Sequence, residues 1–195
     1  GIDTDLFYPM DTIRREPGRI ITTNSADMPL KGLYYLLHAV KAALEIRPLN
    51  LTIVGIPKKN GKVEKLVKQL DLAPYVNFTG RIDHERFVRE YAKAELAIVP
   101  SLYEGFGLPV GEAMACRVPV ISTTGGALPE VAGDAARLVP PGNILALKEA
   151  ILELLEDSNQ REALAEKGYQ RVMSEFTWEK TAIRTAEAYQ ELIHA

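Results

Sequence analysis

Two glutamates eight positions apart, Glu104 and Glu112, bracket the stretch Glu104-Gly105-Phe106-Gly107-Leu108-Pro109-Val110-Gly111-Glu112. Gly105 and Gly107 let a backbone approach a ligand closely. Pro109 suits the first position of a helix, and the amides just ahead of it are unpaired, with the positive end of the helix dipole behind them. That combination is a cradle for a phosphate. The plainer reading is a strand–helix connection whose glycines serve turn geometry, and the spacing leaves both open. A carboxylate only accepts hydrogen bonds, so Glu104 and Glu112 beside such a cradle suit the vicinal hydroxyls of a ribose or another sugar. The pair also has the composition of a glycosidase acid and base. Against that, Glu112 is expected in the first turn of a helix, where dipole and free amides favour the ionised form, whereas a general acid needs its pKa raised. Taken alone, Glu112 also reads as a charge stabilising a helix N-terminus.

Three further stretches belong with this one. Lys31, between Met28-Pro29-Leu30 and Gly32, is expected at the head of the first long helix, where a cation is unfavourable unless an anion compensates. A diphosphate in the neighbouring cradle would be that anion; the alternative is an exposed lysine. Ser122-Thr123-Thr124-Gly125-Gly126 offers hydroxyls and amides that either line a sugar pocket or turn the chain. Gly80-Arg81-Ile82-Asp83 and the turn at Gly55 end strands at the same sheet edge, with backbone able to read a base. His38, His84 and His194 have no partner at triad or metal spacing, Cys116 reads as a core thiol, and Lys58, Lys59, Lys62, Lys65 and Lys68 as a solvated face. Phe176 and Trp178 are expected to dock the last helix on the body.

These residues must be held at one edge by regular elements. Apolar, β-branched runs at 19–23, 51–54, 76–79, 96–99, 118–122 and 136–139 alternate with helical periodicities at 31–47, 63–70, 85–94 and 109–116. The alternation predicts an α/β fold, a doubly wound, Rossmann-like parallel sheet of about six strands with helices on both faces. From 144 on the texture is helical only, at 144–155, 160–174 and 177–193, which predicts a C-terminal helical tail. The expected division is an entry segment at 1–17, a core at 18–140 and the tail at 143–195. In such sheets ligands bind beyond the carboxyl ends of the strands, at the switch in strand order. The loops after Thr23, Gly55, Gly80, Val99 and Ser122 are therefore where function is sought.

Composition narrows the classes. The 195 residues include 23 basic and 26 acidic ones, for a net charge of −3, which argues against a nucleic-acid binder with its basic face. The single cysteine excludes a disulfide framework, and no Cys/His cluster has zinc spacing. No apolar run reaches the length of a membrane span, and the start, with Asp3, Asp5 and Pro9, is unlike a signal peptide. The expectation is a cytoplasmic domain. Its opening Gly1-Ile-Asp-Thr-Asp-Leu-Phe-Tyr-Pro reads as mid-chain linker, and the sequence as a fragment.

The Glu104 to Met114 stretch resembles the E-x7-E signature of family 4 glycosyltransferases, with its Gly-Phe-Gly-Leu-Pro interior. Pro119-Val-Ile-Ser-Thr-Thr-Gly-Gly, Leu128-Pro-Glu, Gly1-Ile-Asp-Thr-Asp-Leu-Phe, Lys31-Gly32, Leu138-Val-Pro-Pro-Gly142 and Phe176-Thr-Trp178 extend the likeness along the whole chain. The resemblance is to the C-terminal, donor-binding half of a GT-B fold. It implies a retaining hexosyltransferase acting on a nucleotide-diphosphate sugar, with no cofactor and no bound metal. It places Glu112 on the ribose hydroxyls, Glu104 at the donor sugar, the amides of Phe106, Gly107 and Leu108 at sugar and diphosphate, Lys31 on the leaving diphosphate, and Ile82 at the base. By family frequency the donor is a UDP-sugar. The acceptor-binding N-terminal domain would be absent, leaving the fragment inactive alone, and the full-length protein could touch a membrane peripherally. One departure stands out: the family's arginine about five residues before the lysine is Ala26 here, with Arg81 a candidate substitute. Other readings are a non-catalytic nucleotide-sugar-binding or regulatory module of this fold, or half of a sugar-nucleotide epimerase or phosphorylase. A dinucleotide oxidoreductase is disfavoured, since no G-x-G-x-x-G follows the first strand.

Overall fold

The computed structural model describes residues 1–23 and 28–194; the Ala26 position, where the family arginine was sought, lies outside them. The chain runs β1 (Arg19–Thr23), a 3₁₀ turn (Pro29–Lys31), α1 (Leu33–Leu44), β2 (Asn50–Val54), α2 (Lys62–Gln69), β3 (Val76–Phe78), α3 (His84–Lys93), β4 (Leu96–Val99), α4 (Leu108–Ala115), β5 (Val120–Thr123), α5 (Leu128–Ala132), β6 (Arg137–Val139), α6 (Ile144–Glu156), α7 (Ser158–Glu175) and α8 (Trp178–His194). The six strands form one sheet of order β3-β2-β1-β4-β5-β6, and every neighbouring pair is parallel.

A strand covered by helices on both faces needs apolar side chains on both, and β4, Leu-Ala-Ile-Val, is buried at all four positions. The period of two sorts its residues: Leu96 and Ile98 join one core with Leu36, Leu37, Val40 and Ile151, while Ala97 and Val99 join the other with Tyr91, Val110, Met114 and Val172. α6 and α7 thus pack back over the sheet. Asp83, Asn143 and Asp157 cap α3, α6 and α7, accepting from the amides of Arg86, Ala146 and Gln160. The entry segment is packed too. The Ile2 amide donates to the Phe176 carbonyl at 2.6 Å, and buried Phe7 lies edge-on against His84, Phe87 and Tyr91.

Three expectations need correcting, and one element is added. The helix expected over 31–47 begins at Leu33, because Gly32 sits at φ 70° and breaks the path; Lys31 closes the preceding 3₁₀ turn instead of heading α1. Leu128-Pro-Glu, to which no element was assigned above, opens a short helix, α5, with Pro129 in its first turn. β5 starts at Val120, two residues late, since the Val118 amide still bonds back to the Ala113 carbonyl. Trp178 is 59% exposed and does little docking; Phe176 has that role, edge-on to Phe106 at 6.0 Å.

Candidate functional site

Chain order reverses between β1 and β4, so the loops leaving these two neighbouring strands part to opposite faces and open a crevice above the sheet. They are drawn together at their roots. The Leu102 amide donates to the Leu30 carbonyl at 2.7 Å. A Cβ on Gly32 would stand 1.8 Å from the Pro100 carbonyl oxygen, so only glycine permits this approach, and its left-handed backbone suits the same residue. Lys31 is thereby carried across the switch point, and its Nζ meets Glu104 Oε1 at 2.6 Å. Ser101 Oγ donates to the same oxygen at 2.8 Å. The loop after β5 closes the third side: Thr123 Oγ1 donates to the Ser101 carbonyl, the Ala127 amide to the Glu104 carbonyl at 2.9 Å. A Cβ on Gly126 would come within 2.2 Å of that carbonyl oxygen.

Beyond Glu104 the chain reaches α4 through Gly107, at φ 100°, with no side chain capping the helix. Among the described residues the amides of Phe106, Gly107 and Leu108 have no acceptor, so the cradle expected ahead of Pro109 exists. Glu112 lies one residue further in than expected, at the fifth helical position and past the first turn. There the dipole and free amides no longer act on it, and burial dominates, raising its pKa to about 7 against the opposing pull of Lys31 and a hydrogen bond from Tyr91. The expectation of a Glu112 held ionised by the helix terminus is overturned, and the objection to an acid–base role that rested on it goes with it. Tyr91, 1% exposed, has its hydroxyl bonded with Thr23 and Glu112, and burial holds its pKa well above the usual phenol value.

Lys31, Glu104 and Glu112 are therefore brought together. The other expected residues stand around them. Gly55 is tied to the end of β3, accepting from the Gly80 amide at 3.2 Å, with Ile82 half-buried and Arg81 exposed beyond it. Arg81 has no ion pair with a described residue. Thr124 is exposed; Gly125 is buried under the Leu102 carbonyl and spends its amide on Thr123 Oγ1 at 3.3 Å, supporting the loop instead of facing outward. Sequence reasoning singled out neither Ser101 nor Tyr91, and Thr123 only within its five-residue stretch. A serine after a proline, a threonine ending a strand and a tyrosine in a helix's apolar stripe have no spacing of their own; only the crossing of the three loops gives them a role. Among the described residues no group of three or more His, Cys, Asp or Glu side chains could hold a metal ion.

A six-stranded sheet of this order, with a cation, two carboxylates and unpaired amides at its switch point, defines a Rossmann-like α/β domain of the GT-B glycosyltransferase kind. The chain belongs to the family described as "Glycosyl transferases group 1", whose profile matches residues 11–171. It is 38% identical to the MMP alpha-(1->4)-mannosyltransferase of Mycolicibacterium hassiacum, over 99% of this chain and 47% of that protein. It is 34% identical to the GDP-mannose-dependent monoacylated alpha-(1-6)-phosphatidylinositol monomannoside mannosyltransferase of Corynebacterium glutamicum, over 92% of this chain and 51% of that one. The chain spans about half the length of these curated relatives. Among solved structures it superposes on a sucrose-phosphate synthase from Thermosynechococcus elongatus with TM-score 0.86 and 31% identity, covering 100% of this chain and 51% of that one. With the C-terminal domain of a group 1 glycosyl transferase from Francisella tularensis the TM-score is 0.78 at 28% identity, over 91% of this chain and all of that one. No helix among the described residues is long and apolar enough to cross a membrane.

Proposed function

We propose that this chain is the donor-binding half of a retaining hexosyltransferase, and that the sugar it hands over from a nucleoside diphosphate is mannose. The observation that carries the reading is the meeting of Lys31, Glu104 and Glu112 at the β1/β4 switch point, beside the unpaired amides of Phe106, Gly107 and Leu108. The names of the two mannosyltransferase relatives support the choice of sugar. In this reading the ionised Glu112 carboxylate accepts from the ribose hydroxyls, and Gly55, Arg81 and Ile82 line the base. The free amides take the diphosphate, and Glu104 accepts from a hydroxyl of the transferred sugar. Lys31 neutralises charge that grows on the diphosphate as the glycosidic bond breaks, an interaction stronger in the transition state than in the ground state. No metal enters the scheme, and the acceptor is held by a part of the protein beyond this half.

The test is a thermal-shift panel of UDP, GDP and ADP with their glucose and mannose conjugates, since a ligand of the folded state raises the melting temperature by mass action. A rise confined to one base, larger with its mannose than with its glucose conjugate, is the expected result. GDP is the nucleotide in the name of one relative, and UDP the one expected from family frequency. No rise with any of the ligands, on this chain and on the longer protein alike, would overturn the reading.

A further inference from the structure

Glu104 has two donors on one carboxylate oxygen and, among the described residues, none on the other. Lys31 Nζ and Ser101 Oγ both meet Oε1, at 2.6 and 2.8 Å. The carboxylate is 13% exposed, and among the described residues these two contacts are the ones that hold it, leaving Oε2 without a donor. The two donors differ in kind. Lys31 is a long, flexible cation that a bound diphosphate will draw toward itself, sharing or giving up its hold on Glu104. Ser101 is neutral, so an arriving anion exerts no such pull on it. Its backbone is also fixed. The residue is 2% exposed, its carbonyl accepts from Thr123 Oγ1, and the Pro100 carbonyl before it abuts Gly32. Its hydroxyl has a single rotatable bond from a clamped origin, whereas Lys31 reaches from the end of a four-carbon stem.

We propose that Ser101 is a positioning residue: acting through Glu104, it keeps Oε2 turned to the donor sugar once Lys31 is engaged by the diphosphate, and so makes the site prefer a nucleotide sugar over the bare nucleoside diphosphate. The inference rests on the donor-site reading above and adds a source of selectivity to it. A hydroxyl lost from a charged acceptor in a half-buried site weakens what that acceptor holds by roughly tenfold. Contacts to the nucleotide, which run through Glu112 and the loop amides, do not pass through Ser101.

Calorimetric titration of the unaltered chain, Ser101→Ala and Ser101→Thr with GDP, GDP-mannose, UDP and UDP-glucose tests this. The expected result is that Ser101→Ala binds the nucleotide sugar about tenfold more weakly while its affinity for the matching diphosphate stays within about twofold. Ser101→Thr, which keeps a hydroxyl, recovers the preference. Equal losses for sugar conjugate and bare diphosphate, or no loss in either, would overturn the role of Ser101 while leaving the donor site standing. Failure to bind any ligand of the panel above, on this chain and on the longer protein alike, would overturn the donor-site reading and the positioning role with it.

Discussion

The two ends of the sheet carry charge in opposite ways. At the lower end, where β4 begins, Glu95 has both oxygens engaged: Oε2 accepts from the Gly18 amide at 2.6 Å and Oε1 from Arg161 at 3.1 Å. Arg161 also donates to the Leu154 and Leu155 carbonyls at the end of α6. Arg15 straps the Ala94 and Arg117 carbonyls nearby. Every one of these groups ties two elements of the fold together. At the upper end, where β4 leaves, Glu104 has one oxygen engaged, Glu112 is a half-buried carboxylate whose pKa desolvation raises to about 7, and three amides have no acceptor among the described residues. Pairing that is complete holds a structure; pairing that stops short leaves capacity for a ligand, and desolvation makes each remaining contact count for more.

The sharpest way to break this contrast is at the lower end. Glu95→Ala leaves Arg161 without its carboxylate in a site only about 15% exposed, and removing one partner of such a pair costs about 3 kcal/mol. Denaturant unfolding should show that loss, while nucleotide affinity of the folded protein stays unchanged. A variant that lost nucleotide binding while keeping its stability would make the lower cluster part of the site.

At the upper end the order of effects reverses. Glu112→Ala removes the acceptor for two hydroxyls and should weaken binding of the nucleoside diphosphate by about 10- to 100-fold with little loss of melting temperature, since a buried charge that costs free energy goes with it. Lys68→Ala, which breaks only the exposed 3.6 Å pair with Glu64, should alter neither property measurably. If the two substitutions acted alike on binding, Glu112 would not be the ribose acceptor.

The contrast also marks how far the sequence could be read. The strands and most helices were legible because period and chain neighbours decide them: Leu-Ala-Ile-Val admits few readings, and Pro109 after two glycines announces a helix start. Lys31, Glu104 and Glu112 were legible as types in a motif. What escaped depends on contacts between distant segments. Gly32 stops a helix because the Pro100 carbonyl leaves no room for a Cβ. Glu112 has a raised pKa because the fold desolvates it more than Lys31 and the Tyr91 hydrogen bond can offset, which no window around residue 112 reveals. Ser101 is held in place by Thr123, twenty-two residues on, whose hydroxyl donates to its carbonyl.

The smallest effect is the most diagnostic of that burial. The folded-state pKa of Glu112, about 7, lies above its ordinary value of 4.5. Between these values the folded chain holds a proton that the unfolded chain releases, so this group's contribution to stability is full below pH 4.5 and lost as pH rises through 7. Facing the carboxylate are Lys31, whose charge opposes the shift, and Tyr91 and Cys116, whose own pKa values burial raises, Cys116 to about 12, out of the range concerned. Glu112→Gln keeps an acceptor for Tyr91 and carries no charge at any pH. Its melting temperature should match the unaltered chain at pH 4.5 to 5 and exceed it by a few degrees at pH 8, a difference of about 1 kcal/mol or more at this chain length. Nucleotide affinity should move the other way, rising with pH through 7 in the unaltered chain as the carboxylate ionises and staying flat in the variant. A melting difference independent of pH would mean that Glu112 is already ionised and solvated at neutral pH, and that the upper carboxylates are no less fully compensated than the lower ones.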